Sequence, residues 1–269
     1  MNKWIYRGLL LIFSLIFIGS ALYLGIYFWD SYQQSSRYEA LSEMVDKPVR
    51  PTIADEEETP TTPTELLVEV TDANGNTRQI LPHFAQLFHL NNHLIGWLSI
   101  PGTDIDYPVM QSPESPNFYL NHNFDRKYSA RGCLYVRETC DVFTPGDNVT
   151  IYGHKMKDRT MFAQLDQYRK KSFFEENPYI YFDSLEQMHT YKIMAVFTIS
   201  ADPEEGFAYH TFENAGTEEE FDAFVSQCKQ RARYDTGVDA VYGDKLITLS
   251  TCEYSQDNGR LVIVAKLIV

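Results

Sequence analysis

Eight short runs of β-branched, aromatic and aliphatic residues, each closed off by Gly, Pro, Asn or Asp, constrain this chain more than any other feature. They lie around residues 97–100, 105–109, 132–136, 148–152, 179–183, 190–199, 246–250 and 261–268. Runs of this length with turn residues between them read as strands rather than helices. A succession of short strands is accommodated by closing the sheet on itself. The expected fold class is therefore mainly β: an eight-stranded closed β-barrel with peripheral helices, preceded by a single N-terminal transmembrane helix.

The helices and turns around the strands have their own signals. Thr217-Glu218-Glu219-Glu220 fits a capping box, and Phe221, Phe224, Val225 and Cys228 follow at helical spacing. Acidic residues in that first turn and Lys229, Arg231 and Arg233 near the end suit the helix dipole. This helix is expected to cover one barrel face, and a role in walling a substrate groove is a second possibility. Phe84, Leu87, Phe88 and Leu90 to Leu94 predict one amphipathic helix ahead of the barrel. Asn74-Gly75 predicts a hairpin turn between 66–70 and 76–80.

The N-terminal segment is of another kind. Residues 8–29 carry no charge, and about 22 residues at ~1.5 Å each reach about 33 Å, enough for a bilayer core of about 30 Å. Lys3 and Arg7 precede the run, and Tyr23, Tyr27, Trp29 and Tyr32 resemble an interfacial aromatic belt at its far end. A cleaved signal peptide is the rival, since Gly19-Ser20-Ala21 are small. The apolar run continues past them, so an uncleaved, single-pass anchor with the N-terminus cytoplasmic is expected. Residues 31–46 read as a short polar helix. Lys47 to Thr64, with Pro48, Pro51, Pro60 and Pro63 and the acidic run Asp55-Glu56-Glu57-Glu58, reads as an extended tether. The expected division is 1–30 for a cytoplasmic stub and transmembrane anchor, 31–64 for an extracellular tether and 65–269 for the catalytic barrel. A net charge of -14 argues against nucleic acid and against a polybasic lipid-binding surface.

Chemistry concentrates where strands end. Cys252 closes Thr248-Leu249-Ser250-Thr251-Cys252, and Arg260 opens the last strand after the turn residues Asp257-Asn258-Gly259. A thiol with a pKa near ~8.5 is mostly protonated at neutral pH, so nucleophilic use needs a base within reach. His154 follows the apolar run Val149-Thr150-Ile151-Tyr152 and Gly153, at a strand end. Arg260 stays charged and suits an oxyanion or a substrate backbone. Together these groups suit covalent acyl transfer.

In this order, Tyr119-Leu120-Asn121-His122-Asn123-Phe124, Arg131-Gly132-Cys133-Leu134-Tyr135, Tyr152-Gly153-His154-Lys155-Met156-Lys157-Asp158, Thr160-Met161-Phe162 and Thr248 to Cys252 followed by Arg260 resemble a sortase, in particular class B. The resemblance spans roughly residues 80–269. It implies an eight-stranded barrel and a cysteine transpeptidase with Cys252 as nucleophile, His154 as acid and base, and Arg260 at the oxyanion. It implies substrate contacts at Leu120, Ser250, Thr251 and Glu253. A groove position that is often Asn in class B falls here at Pro116 or Asn117. The implied partners are secreted proteins with a C-terminal sorting signal and an amine of a peptidoglycan precursor or cross-bridge, at the outer face of a Gram-positive-type cell membrane. No cofactor and no metal are required. The alternatives are a pilin-polymerising or hydrolytic variant, or a catalytically silent surface-binding module. No apolar segment follows Val269, which weighs against pilin polymerisation.

The remaining cysteines and histidines have plainer readings. Cys228 on an apolar helix face and Cys133 after Gly132 read as small buried hydrophobes, with a Cys133–Cys140 bridge as an open alternative. His89 and His93 stand four apart, without a carboxylate, and read as a solvated helix face. His122 is the second candidate base, and His189 and His210 read as strand-end or loop surface residues.

Overall fold

The computed structural model describes residues 3–45, 66–72, 75–200, 202, 207–252 and 258–268, and of Cys252 the backbone. The tether expected over Lys47 to Thr64, Asn74 of the first hairpin turn, Asp257 and Glu253 lie outside the described residues. The chain divides into two units, 1–44 and 45–269.

The first unit is one helix, α1 (Lys3–Met44), of 42 residues. Leu10, Phe13, Phe17, Leu24 and Trp29 stand exposed along it, a surface that hydrocarbon accepts and water does not. By length and composition α1 can cross a membrane. It continues as helix through the polar residues beyond Trp29.

The second unit begins with a hairpin of β1 (Val68–Thr71) and β2 (Thr77–Ile80). Its turn is held by Asp72, whose carbonyl accepts from the Gly75 N–H at 3.0 Å and whose Oδ1 accepts from the Asn76 N–H at 2.9 Å. A short helix, α2 (Ala85–Leu90), leads into the barrel. The barrel strands are β3 (Leu94–Ser99), β4 (Asp106–Met110), β5 (Leu134–Val136), β6 (Asn148–Gly153), β7 (Tyr179–Ser184), β8 (Thr190–Ser200), β9 (Leu246–Cys252) and β10 (Gly259–Leu267). They close in the order β10-β8-β7-β3-β4-β5-β6-β9, so each of the eight expected runs is a barrel strand. Closure leaves no open edge. Two pairings are parallel, β4 with β5 and β6 with β9.

The central strands read as nearly unbroken apolar runs because both faces are covered. Leu261 to Ala265 of β10 are all fully buried. One side is roofed by α4 (Glu218–Arg231), whose Phe221, Phe224, Val225 and Cys228 share a buried cluster with Phe197, Tyr209, Val262 and Val264. Thr217 caps the helix by accepting from the Glu220 N–H at 3.3 Å, and Glu220 Oε2 reaches back to the Gly216 N–H at 2.7 Å. Phe212 stacks on Phe224 with ring centroids 3.9 Å apart, fixing the segment that precedes α4. A further short helix, α3 (Lys171–Glu176), follows a 3-10 stretch over Phe162–Arg169.

The helix expected through Leu94 is not continuous. A 3-10 turn at Pro82–Phe84 passes into α2, which stops at Leu90. Asn91 takes an extended conformation, φ -151, and its buried amide donates to Tyr119 Oη at 2.9 Å and to the Phe124 carbonyl at 2.6 Å. Those tertiary bonds, and the pairing of Leu94–Ser99 between β4 and β7, outweigh the local helical pattern. His93 therefore lies off the helix, with Nδ1 3.1 Å from Tyr119 Oη, and the His89/His93 helical pair does not exist. Cys133, Cys140 and Cys228 are buried thiols, so the Cys133–Cys140 bridge is absent.

Phe221 is fully buried at the centre of the α4 cluster. Phe221→Ala is expected to cost about 3–5 kcal/mol, measured by urea unfolding. A loss below about 1 kcal/mol would show that α4 is not packed as described.

Candidate active site

Strand register determines which side chains meet. In the parallel pair β6–β9, Tyr152 stands opposite Ser250 and Gly153 opposite Thr251. His154 and Cys252 each follow directly, at the C-terminal ends of neighbouring strands about 4.8 Å apart. In the antiparallel pair β9–β10, Arg260 is the register partner of Cys252. The backbone of Cys252 thus runs between the strand end that delivers His154 and the strand start that delivers Arg260.

The His154 ring is oriented by the main chain. Nε2 lies 2.7 Å from the Leu120 carbonyl oxygen. A carbonyl can only accept, so Nε2 carries the proton and Nδ1 is the basic nitrogen of the neutral ring. The Leu120 carbonyl is fixed in turn. It ends the 3-10 turn Phe118–Leu120, which is anchored by Tyr119, itself buried and bonded to Asn91. Burial drives the Tyr119 hydroxyl up to about 12, so it stays a neutral partner.

Glycines permit these approaches. A Cβ on Gly153 would stand 2.5 Å from Leu134 Cδ2 and 2.7 Å from Phe162 Cδ2. Gly132 has φ +57, and a Cβ there would meet the Tyr119 and Leu120 carbonyl oxygens at 2.3 and 2.5 Å.

The loop after His154 is clamped at both ends. The Phe162 N–H donates to the His154 carbonyl at 2.9 Å. The buried Arg131 guanidinium pairs with the Asp158 carboxylate and donates to Thr160 Oγ1 at 3.0 Å. A buried guanidinium must be paired; this one ties the loop to the barrel.

A cavity of about 330 Å³ opens at this place, lined among others by Leu120, Gly153, His154, Ser250, Thr251 and Arg260. Leu120 is 41% exposed, an apolar side chain presented at a polar rim. Ser250 Oγ and Tyr209 Oη are 2.8 Å apart. Thr251 Oγ1 is buried and has no hydrogen-bond partner among the described residues. Arg260 Nη1 donates to the Asn258 and Gly259 carbonyls at 3.0 and 2.9 Å, which holds the guanidinium over the start of β10. Of the two candidates for the groove asparagine, Asn117 lines the cavity. It is in the left-handed region at φ 55, tolerated by Asn, and its Oδ1 accepts from Tyr135 Oη at 3.3 Å.

Other lining residues were given no role by the sequence. Tyr135 and Tyr152 stack with centroids 5.5 Å apart, Arg137 follows β5, and Tyr209 and His210 sit on the 3-10 turn Tyr209–Thr211. His210 is therefore a cavity residue and not a surface one. The groove wall near α4 is this turn rather than α4, which supports it from behind through Tyr209. His122 stacks on Phe118 at 3.9 Å and its Nδ1 lies 2.8 Å from the Phe118 carbonyl; it is not a lining residue of the cavity. Among the described residues no group of three or more His, Cys, Asp or Glu is arranged to hold a metal.

The Sortase domain model matches residues 98–268, and the chain belongs to the sortase family. It is 35% identical over 202 residues to Sortase B of Listeria monocytogenes, covering 74% of this chain and 78% of that protein. It is 30% identical over 191 residues to Sortase B of Staphylococcus aureus, covering 70% and 76%. The solved structure of a Staphylococcus aureus sortase B-substrate complex superposes with a TM-score of 0.71 at 24% identity, over 89% of this chain and 98% of that one. The chain is a class B sortase, and so a cysteine transpeptidase.

The glycine at 132 gives a test of how the Leu120 carbonyl is held. Gly132→Ala is expected to cost at least about 1–2 kcal/mol for the left-handed conformation, with the backbone clash added, and to lower sorting-peptide turnover at least about tenfold where the protein is still folded. Gly75→Ala, at φ +85 in open space, is the control. It is expected to show the conformational cost alone and unchanged turnover, measured by urea unfolding and peptide cleavage. Equal turnover in the two variants would contradict the role given to the Leu120 carbonyl.

Proposed function

We propose that this enzyme is held at the outer face of the cell membrane by α1, N-terminus cytoplasmic, and attaches secreted proteins to the cell wall. In this reading residues 1–30 form the stub and anchor, 31–64 the spacer, whose first part is the end of α1, and 65–269 the catalytic barrel. The donor is a C-terminal sorting motif of the Asn-Pro-x-Thr-Asn/Gly kind. The acceptor is an amine of a peptidoglycan precursor or cross-bridge. The observation that supports the reading is the register of β6, β9 and β10, in which the strand that ends just before His154 and the strand that carries Arg260 flank the strand of Cys252.

The chemistry follows from three groups. The Cys252 thiolate attacks the threonine carbonyl carbon, forming a C–S bond and a tetrahedral oxyanion. Arg260 donates hydrogen bonds to that oxygen. The oxyanion collapses, the peptide C–N bond breaks, and imidazolium His154 gives its proton to the departing amine. The thioacyl enzyme remains. The acceptor amine then loses a proton to His154 and attacks the thioester; the new C–N bond forms and the C–S bond breaks. Leu120, Ser250, Thr251 and Glu253 are the substrate contacts in this scheme, and the exposed Leu120 and the unpartnered Thr251 hydroxyl favour a ligand there.

The other described cysteines are poorly placed as nucleophiles. Burial drives Cys140 up to about 12 and raises Cys228, and Cys133 is itself buried, which favours Cys252 for thiolate chemistry at neutral pH. Incubation with a sorting peptide, followed by intact-protein mass spectrometry, is expected to show one acyl adduct, lost in Cys252→Ala and sensitive to hydroxylamine. An adduct of equal yield on Cys252→Ala would overturn the assignment.

A further inference from the structure

One cation of the cavity has no part in the scheme above. Arg137 lies directly after β5 on the cavity wall. Its backbone is fixed, since its carbonyl accepts from Gln111 Nε2 at 2.7 Å and from the Cys140 N–H at 3.1 Å. The residue is half-buried, and among the described residues its guanidinium makes no ion pair and no hydrogen bond. Glu213, a carboxylate whose field reaches Tyr152 as that of Arg137 does, bonds Thr139 Oγ1 at 3.0 Å instead.

His210 shares the cavity. Burial, then the charge of Arg137, then that of Arg260 lowers its pKa, so it is a neutral donor or acceptor at pH 7 beside an uncompensated guanidinium. This happens in a chain with a net charge of -14, where a cationic cleft is not a by-product of composition. Every other buried or half-buried arginine described in the barrel unit has a partner: Arg131 has Asp158, Arg169 has Asp166, Arg231 has Gln227, Arg78 has the Phe143 ring and Arg260 has its own loop carbonyls. A planar fork left open at a cavity wall matches a carboxylate in two-point geometry.

We infer that Arg137 and His210 form a carboxylate subsite in the groove, filled by an acidic group of one of the two reacting molecules. The inference rests on the transpeptidase reading of the cavity and adds a substrate class to it. The carboxylate belongs either to an acidic side chain at the variable position of the sorting motif or to a group beside the acceptor amine.

Two arms separate these sources. In the first, the full-length Cys252→Ala chain in detergent is titrated with fluorescent Asn-Pro-Glu-Thr-Gly and Asn-Pro-Gln-Thr-Gly peptides, with and without Arg137→Gln. In the second, chains with intact Cys252 are offered glycine and glycinamide together, and the two products are counted by mass spectrometry, again with and without Arg137→Gln. One arm is expected to show a preference for the carboxylate of roughly tenfold that collapses in Arg137→Gln and partly returns in Arg137→Lys. Which arm responds names the source. If Arg137→Gln changes neither the Glu/Gln affinity ratio nor the glycine/glycinamide product ratio, the subsite is wrong. The first arm needs no turnover, so binding with the preference but no product counts against the catalytic scheme alone.

Discussion

The parallel pairing of β6 with β9 is the constraint on which the rest depends. An antiparallel neighbour would bring the start of one strand beside the end of the other. Parallel pairing instead sets two C-terminal ends side by side, with Gly153 against Thr251. The antiparallel partner on the far side of β9 returns immediately, with Arg260 against Cys252. A slip of one residue in either pairing would send the affected side chains to the opposite face. The buried polar bond from Thr248 Oγ1 to Asn148 Oδ1, at 2.8 Å, ties the same two strands at their other ends and resists such a slip.

Around this register the protein builds rigidity from small groups. Gly132 and Gly153 allow backbone and side chains to approach more closely than any Cβ would permit. The Arg131–Asp158 pair and the Phe162-to-His154 backbone bond hold the loop beyond the histidine. Behind the opposite wall, α4 packs its aromatic face on β8 and β10 and against Tyr209 of the preceding 3-10 turn, which reaches Ser250. The cavity is thus supported by elements from most of the barrel unit, which suits the proposed reaction, in which three groups are held in fixed relation.

The strands were legible because β-branched runs and turn residues are local signals; all eight runs are strands, with ends displaced by a few residues. The capped α4 was legible for the same reason, down to Thr217 and Glu220. The segment after Phe84 was not, because Asn91 leaves the helix for partners far along the chain, Tyr119 and Phe124. His154, Arg260 and the position of Cys252 could be read from strand ends flanked by glycine and turn residues. Arg137 and His210 could not. Neither belongs to a local pattern, and they become neighbours only when the end of β5 and the turn before α4 meet at one cavity. The Leu120 carbonyl was invisible for a simpler reason: every residue has one, and only the fold says which one faces a histidine.

The central claim is that this arrangement turns one thiol of four into a nucleophile. The direct measurement is the rate of iodoacetamide alkylation at each cysteine of the native full-length chain at pH 7, read by peptide mass spectrometry. Cys252 is predicted to react at least about tenfold faster than Cys133, Cys140 and Cys228, and to slow markedly in His154→Ala. Alkylation of Cys252 at the rate of the buried thiols, or at a rate indifferent to His154, would contradict the account.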